Sequence, residues 1–169
     1  LGGLLVGLLF HFVRVSEAEG EGVPEVMEAL AIKQGTIRPL VAPVKIAAAA
    51  LTLSSGGSAG REGPVIHIGS AIGSFIGQWF SLPSRERSLL LACGASAAIG
   101  GAFGAPFAGA VFTVEILRHR PEFLRTGLVV VSALVGAWLT AFFTGHEGLR
   151  FSVEALPAFT WWPYGVLAI

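Results

Sequence analysis

The residues best placed to do chemistry sit in one stretch, Ser54–Gly73, SSGGSAGREGPVIHIGSAIG. Arg61 and Glu62 stand side by side there, between glycines and ahead of Pro64, with apolar runs on both flanks. Charges in an apolar segment are expensive to bury, and they line an interior, a cavity or a pathway rather than face lipid. A helix beginning at Pro64 would present unpaired backbone N–H groups and a partial positive charge at its start. Such an end attracts an anion without a full countercharge, so the bound ion can also leave. Glu62, at the mouth of that helix, could occupy the anion position as a tethered competitor. It would leave when protonated or displaced, which makes it a gate and a proton carrier. The plainer alternative is an acid at a helix start paired with Arg61, although adjacency in the chain makes direct pairing awkward.

The device recurs. Glycine clusters lead into a helix-starting proline at Gly20…Pro24, Gly60…Pro64 and Gly101…Pro106. Bare backbone at membrane depth is tolerated only where it is buried in protein or lines a cavity. Several such helix starts converging near the midplane would make an anion site. Glu21 lies in the first of these breaks, where the simplest reading is an acid near a helix start. Lys45 interrupts RPLVAPVKIAAAALTL. It either snorkels to the interface or faces inward as a fixed positive charge, and the apolar run behind it favours the inward orientation.

The elements that must hold these residues are membrane helices. Hydrophobic residues make up 53% of the chain and charged residues 13%, against roughly 25% charged in soluble domains. Mean hydropathy is +0.73. The class is therefore an all-α, polytopic integral membrane protein with short, broken and tilted helices. Net formal charge is zero, so no global field points to nucleic acid. No cofactor or metal is expected, since His146-Glu147 has no second histidine at helical spacing. Cys93 is the single cysteine and reads as a packed thiol.

In order, Leu1–Val13 reads as an apolar helix remnant and Arg14–Gly22 as a boundary loop. A short helix follows over PEVMEALAIK, with proline at its first position and Glu25 and Glu28 in its first turns. Arg38–Leu53 and Val65–Phe80 read as helices, the second with Gly69, Gly73 and Gly77 on one face for close helix packing. Ser81–Arg87 reads as a loop, and Leu89–Leu117 as two short helices broken at GGAFGAP. Arg118–Arg125 is a basic loop for the cytoplasmic side. Thr126–Phe143 is a span near the low end of the roughly 17–25 residues needed to cross. A polar loop, Gly145–Pro157, and an interfacial belt at Trp161, Trp162 and Tyr164 close the chain. Both ends fall in apolar runs, which predicts a fragment cut at each end.

These residues resemble the CLC family of chloride channels and chloride/proton antiporters. Gly60-Arg61-Glu62-Gly63-Pro64 matches the family's G-(K/R)-E-G-P motif in full. Gly20–Pro24 stands where the family has G-S-G-I-P, and Gly94–Leu117 is similar to its Gly/Ala-rich helix pair ending in an acid. The resemblance covers nearly the whole chain. It implies that residues 1–169 are a partial CLC-type transmembrane domain, roughly the first half of an inverted-repeat membrane domain. It further implies a multi-pass protein of the plasma (inner) membrane that assembles as a homodimer with one pore per subunit. Helices 106–117 and 126–143 would contribute to the dimer interface. By this resemblance the anion-binding positions are Glu21, Gly22 and Val23 at one helix start, and Arg61, Gly63, Pro64, Val65 and Ile66 at the other. Glu62 is the gate, and Glu62 with Glu115 the proton pathway.

The chain departs from the family at two positions. Glu21 replaces the serine that donates to the anion. An ionised carboxylate would repel an anion, so Glu21 must be protonated, point away or change selectivity; branches altered at this position include fluoride exporters. Ile116 replaces the second acid of the pair that passes protons in antiporters, and an apolar side chain cannot carry a proton. The expected function is passage of chloride or a related anion through the lipid bilayer, channel-like rather than proton-coupled. The alternatives are a proton-coupled anion antiporter, a fluoride-selective one included, and, more remotely, an intramembrane serine protease using Ser58 and His67. His67 reads better as a polar side chain packed on neighbouring backbone, and no enzyme activity is expected. A soluble phosphate-binding loop fails on its motif, and a purely structural membrane subunit would leave Arg61-Glu62 unexplained.

Overall fold

The computed structural model describes residues 2–13, 15–57, 60–116 and 123–145. Among the described residues every regular element is helical: α1 (Gly2–Val13), α2 (Val23–Ala31), α3 (Val41–Ser54), α4 (Glu62–Trp79), α5 (Ser84–Phe103), α6 (Pro106–Ile116) and α7 (Phe123–Thr144). A single 3-10 turn, Ser16–Ala18, separates α1 from α2. Of the basic loop expected over Arg118–Arg125, residues 118–122 lie outside the described residues and residues 123–125 already belong to α7; the closing aromatic belt and Ser58 also lie outside.

Several helix boundaries differ from expectation. α4 begins at Glu62, with Arg61 as its N-cap, rather than at Val65 or Pro64. Proline is tolerated anywhere in the first turn, because the N–H it lacks would have no intrahelical partner there. The same holds in α2, which starts at Val23 with Pro24 inside its first turn. The loop expected over Ser81–Arg87 is shorter, since α5 already starts at Ser84. The Pro83 carbonyl accepts the N–H groups of Glu86 and Arg87, both at 3.0 Å.

α5 is the central helix, packed on α4, α6 and α7. Small residues make those contacts. A Cβ on Gly69 would collide with the Gly94 carbonyl, and one on Gly94 with the Gly69 carbonyl. Gly73 meets Leu90 and Leu91, and Gly77 meets Arg87. The glycine face read from the sequence therefore packs against α5. On the far side Gly136 of α7 lies on Ala97, while Gly100 lies on Ala133. Ser96 adds a hydrogen bond to the Val129 carbonyl at 2.9 Å. Such close backbone approach is how helices associate where lipid removes the hydrophobic drive between them. α5 ends at Gly104, in the left-handed conformation with φ 60°, which leaves α6 to start afresh at Pro106.

Thr126–Thr144 is long and apolar enough to cross a membrane, with mean hydropathy 2.0, and only 11% of it is buried. α4 and α5 are long enough, but their glycines and serines lower the hydropathy; these small residues serve helix contacts, while α4 leaves Ile72, Phe75, Ile76 and Trp79 exposed on its other face. The loop between α2 and α3 is tied down by side chains of α4. Ser74 Oγ donates to the Gly35 carbonyl at 2.7 Å and accepts the Ile37 N–H at 2.9 Å. Gln78 Nε2 donates to the Ile37 carbonyl at 2.8 Å.

Gly94→Val should force α4 and α5 apart and destabilise the fold by at least about 1–3 kcal/mol, as overpacking does. Thermal unfolding in detergent reads this directly; an unchanged Tm would contradict the close backbone contact.

Candidate functional site

The site is built on a contact between two backbones. Gly22, the N-cap of α2, has φ 114°, a conformation that L side chains rarely adopt. A Cβ there would meet the Gly63 carbonyl, and a Cβ on Gly63 would meet the Glu21 carbonyl. The start of α2 is thereby pressed against the start of α4. In α4 the Val65 N–H closes the first turn onto the Arg61 carbonyl at 3.1 Å, and Pro64 has no N–H. The N–H groups of Glu62 and Gly63 are left as the open donors of the helix end. In α2 the Val26 N–H returns to the Gly22 carbonyl at 3.2 Å. Both helix dipoles have their positive ends at this junction.

Two charged side chains hold the α2 start in place. Glu25 Oε2 accepts the Gly22 N–H at 2.7 Å, as an acid three residues past an N-cap does in a capping box. Lys45 of α3 is buried, with 6% of its surface exposed, so it points inward. Its Nζ donates to the Ala18 carbonyl at 3.0 Å and to the Gly20 carbonyl. The 3-10 turn is fixed from outside by Lys33, which reaches Glu17 at 3.0 Å and Glu28 at 3.4 Å. The hydrogen bond to Glu17 holds the Lys33 ammonium above its ordinary pKa against a smaller opposing effect of burial.

The junction opens on a cavity of about 920 Å³. Glu21, Val23, Glu62, Gly63, Pro64 and Ile66 line it, as do Glu19 and Lys45. Among the described residues no hydrogen bond or ion pair engages the carboxylates of Glu62, Glu21 or Glu19. Glu62 is not paired with Arg61. The Arg61 guanidinium lies 5.5 Å from the centroid of the Phe103 ring, a cation–π contact, and Arg61 does not line the cavity. Gly22 is buried behind the wall and Val65 stands off it.

The third proline helix start is not brought here. α6 contributes Phe112 to the cavity instead of its N-terminus. Glu115 is exposed on the last turns of α6 and away from the lining; the Ile116 side chain lies outside the described set. His67 is buried within α4, and its Nδ1 has no hydrogen-bond partner among the described residues; the same is true of Ser70 Oγ one turn on. Sequence reasoning missed Glu19 and the acceptors of Lys45. It also treated Glu25 only as a favourable charge, although its spacing from Gly22 was the signal for the cap.

The profile of the family described as Voltage gated chloride channel matches residues 2–169. The chain belongs to that family. It is 33% identical over 159 residues to a protein of Yersinia pseudotuberculosis serotype O:1b (strain IP 31758) named voltage-gated ClC-type chloride channel ClcB. That alignment covers 94% of this chain and 38% of the relative. A putative chloride channel protein ClcB-like of Ralstonia nicotianae is 33% identical over 162 residues, covering 94% of this chain and 37% of that protein. The ClcB protein of Yersinia pestis is 32% identical over 159 residues, with shares of 94% and 38%. The chain thus spans well under half the length of these CLC relatives. Membership makes it part of a CLC membrane domain, in a family of channel proteins rather than enzymes.

Lys45→Met should leave the Ala18 and Gly20 carbonyls without their donor. The expected loss is about 1–3 kcal/mol, the penalty for a buried polar group left unsatisfied. A Tm equal to that of the parent in detergent would show that the ammonium does not anchor the turn.

Proposed function

We propose that this chain forms part of a membrane passage for chloride or a related small anion, gated by Glu62. The observation that carries this reading is the junction itself. Two helix N-termini, locked together by Gly22 and Gly63, open on one cavity with an unpartnered carboxylate at the edge. Open N–H donors and aligned dipoles favour an anion there, and Glu62 is tethered where it can compete for them. Protonation removes that competition. The relatives named as chloride channels bring chloride to this chain as the first candidate; Glu21 in place of a hydroxyl keeps fluoride as the second.

The remainder of the passage belongs to the rest of the protein. A homodimer in the plasma membrane is the proposed assembly. The exposed apolar residues of α6 and α7, among them Phe107, Val111, Val131 and Trp138, suit contact with lipid or with a second copy. Passive conduction is favoured over antiport because Ile116 stands at the position of the second acid in the helix-end pair.

In liposomes holding the full-length protein, Glu62→Gln should change chloride flux and flatten its pH dependence. Flux and pH profile equal to the parent's would remove Glu62 as the gate. A chloride gradient should not drive protons uphill in the same vesicles; a fixed chloride-to-proton ratio would contradict the argument from Ile116.

A further inference from the structure

The charge around the cavity is of the wrong sign for an anion at neutral pH. Three carboxylates line it, Glu19, Glu21 and Glu62, against one ammonium, Lys45. That ammonium is already donated to the Ala18 and Gly20 carbonyls. Helices α1, α5 and α6 bring only apolar side chains to the lining. Of the charged groups nearby, Arg61 lies on Phe103, Glu25 is held on the Gly22 N–H, and His67 is buried outside the lining. Even with Arg61 counted beside Lys45, the three lining carboxylates outnumber the cations at the junction.

Glu21 and Glu62 stand on either side of one backbone contact, because the Glu21 carbonyl rests on Gly63, the residue after Glu62. Removing the charge of Glu62 alone would still leave Glu21 beside the open helix ends. We infer that Glu21 is a second gate on the same cavity: an anion enters only when Glu21 and Glu62 have both lost their charge. The passage then opens on acidification in two proton steps. Glu19, two residues earlier in the chain, lines the same cavity and adds to its negative charge. This inference rests on the reading of the cavity as an anion passage.

The test is chloride efflux from liposomes containing the full-length protein, measured from neutral to acidic pH for the parent, Glu21→Ser and Glu21→Gln. Chloride binding by calorimetry at the two pH extremes is the companion readout. The parent should show a slope of about two protons, and either variant a slope of about one. Flux and chloride binding at neutral pH should rise roughly tenfold on removal of that negative charge. Glutamine keeps the size of the side chain, so it serves if serine disturbs folding. Variant profiles that superimpose on the parent's would overturn the second gate while leaving the passage intact. A parent that moves and binds no chloride at any pH would overturn the passage itself, and the second gate with it.

Discussion

The structure depends on the absence of two side chains. Gly22 and Gly63 let the backbone before α2 lie directly on the first turn of α4, and any Cβ at either position would push them apart. The consequence is electrostatic. Two helix ends that would each be weak anion attractors reach the same cavity, and their partial charges add. Glycine at these places is a requirement of distance at Gly63, and of distance and backbone conformation together at Gly22, with its φ of 114°.

The rest of the molecule keeps that junction from moving. Lys45 ties the approach to α2 onto α3 through two carbonyls, and Glu25 closes the turn from within. α4 is held along its length by glycine contacts with α5, and α5 in turn by α6 and α7. Charged groups inside a membrane protein are costly unless partnered. Here the cations near the site have partners, in carbonyls for Lys45 and the Phe103 ring for Arg61, while the carboxylates on the cavity have none among the described residues.

Much of this was legible in the sequence. The apolar runs marked α1, α3 and α7, and the spacing of Gly69, Gly73 and Gly77 gave the face that packs on α5. Gly60–Pro64 marked a stretch of which the structure brings Gly60, Glu62, Gly63 and Pro64 to the cavity. The start of α4 at Glu62 is not fixed by Pro64, since a first turn accepts proline at its third position as well as at its first. The partners of Lys45 lie 25 and 27 residues away in the chain, and no local pattern encodes that approach. Nor could spacing show that the third proline break, before α6, points elsewhere. All three breaks look alike in sequence, and only the packing of α6 on α5 decides which helix face reaches the cavity. The separation of Arg61 from Glu62 was also beyond sequence, since it is the Phe103 ring, forty-two positions on, that takes the guanidinium.

The central claim is that the joined starts of α2 and α4 hold an anion. Bromide replaces chloride and is located by its anomalous scattering. Crystals of the full-length protein carrying both Glu21→Gln and Glu62→Gln, soaked in bromide, test the claim most directly. The account predicts an anomalous peak in the cavity beside the Gly63 N–H, next to the Gly22–Gly63 contact. Bromide peaks elsewhere in the protein with none at this junction would contradict it.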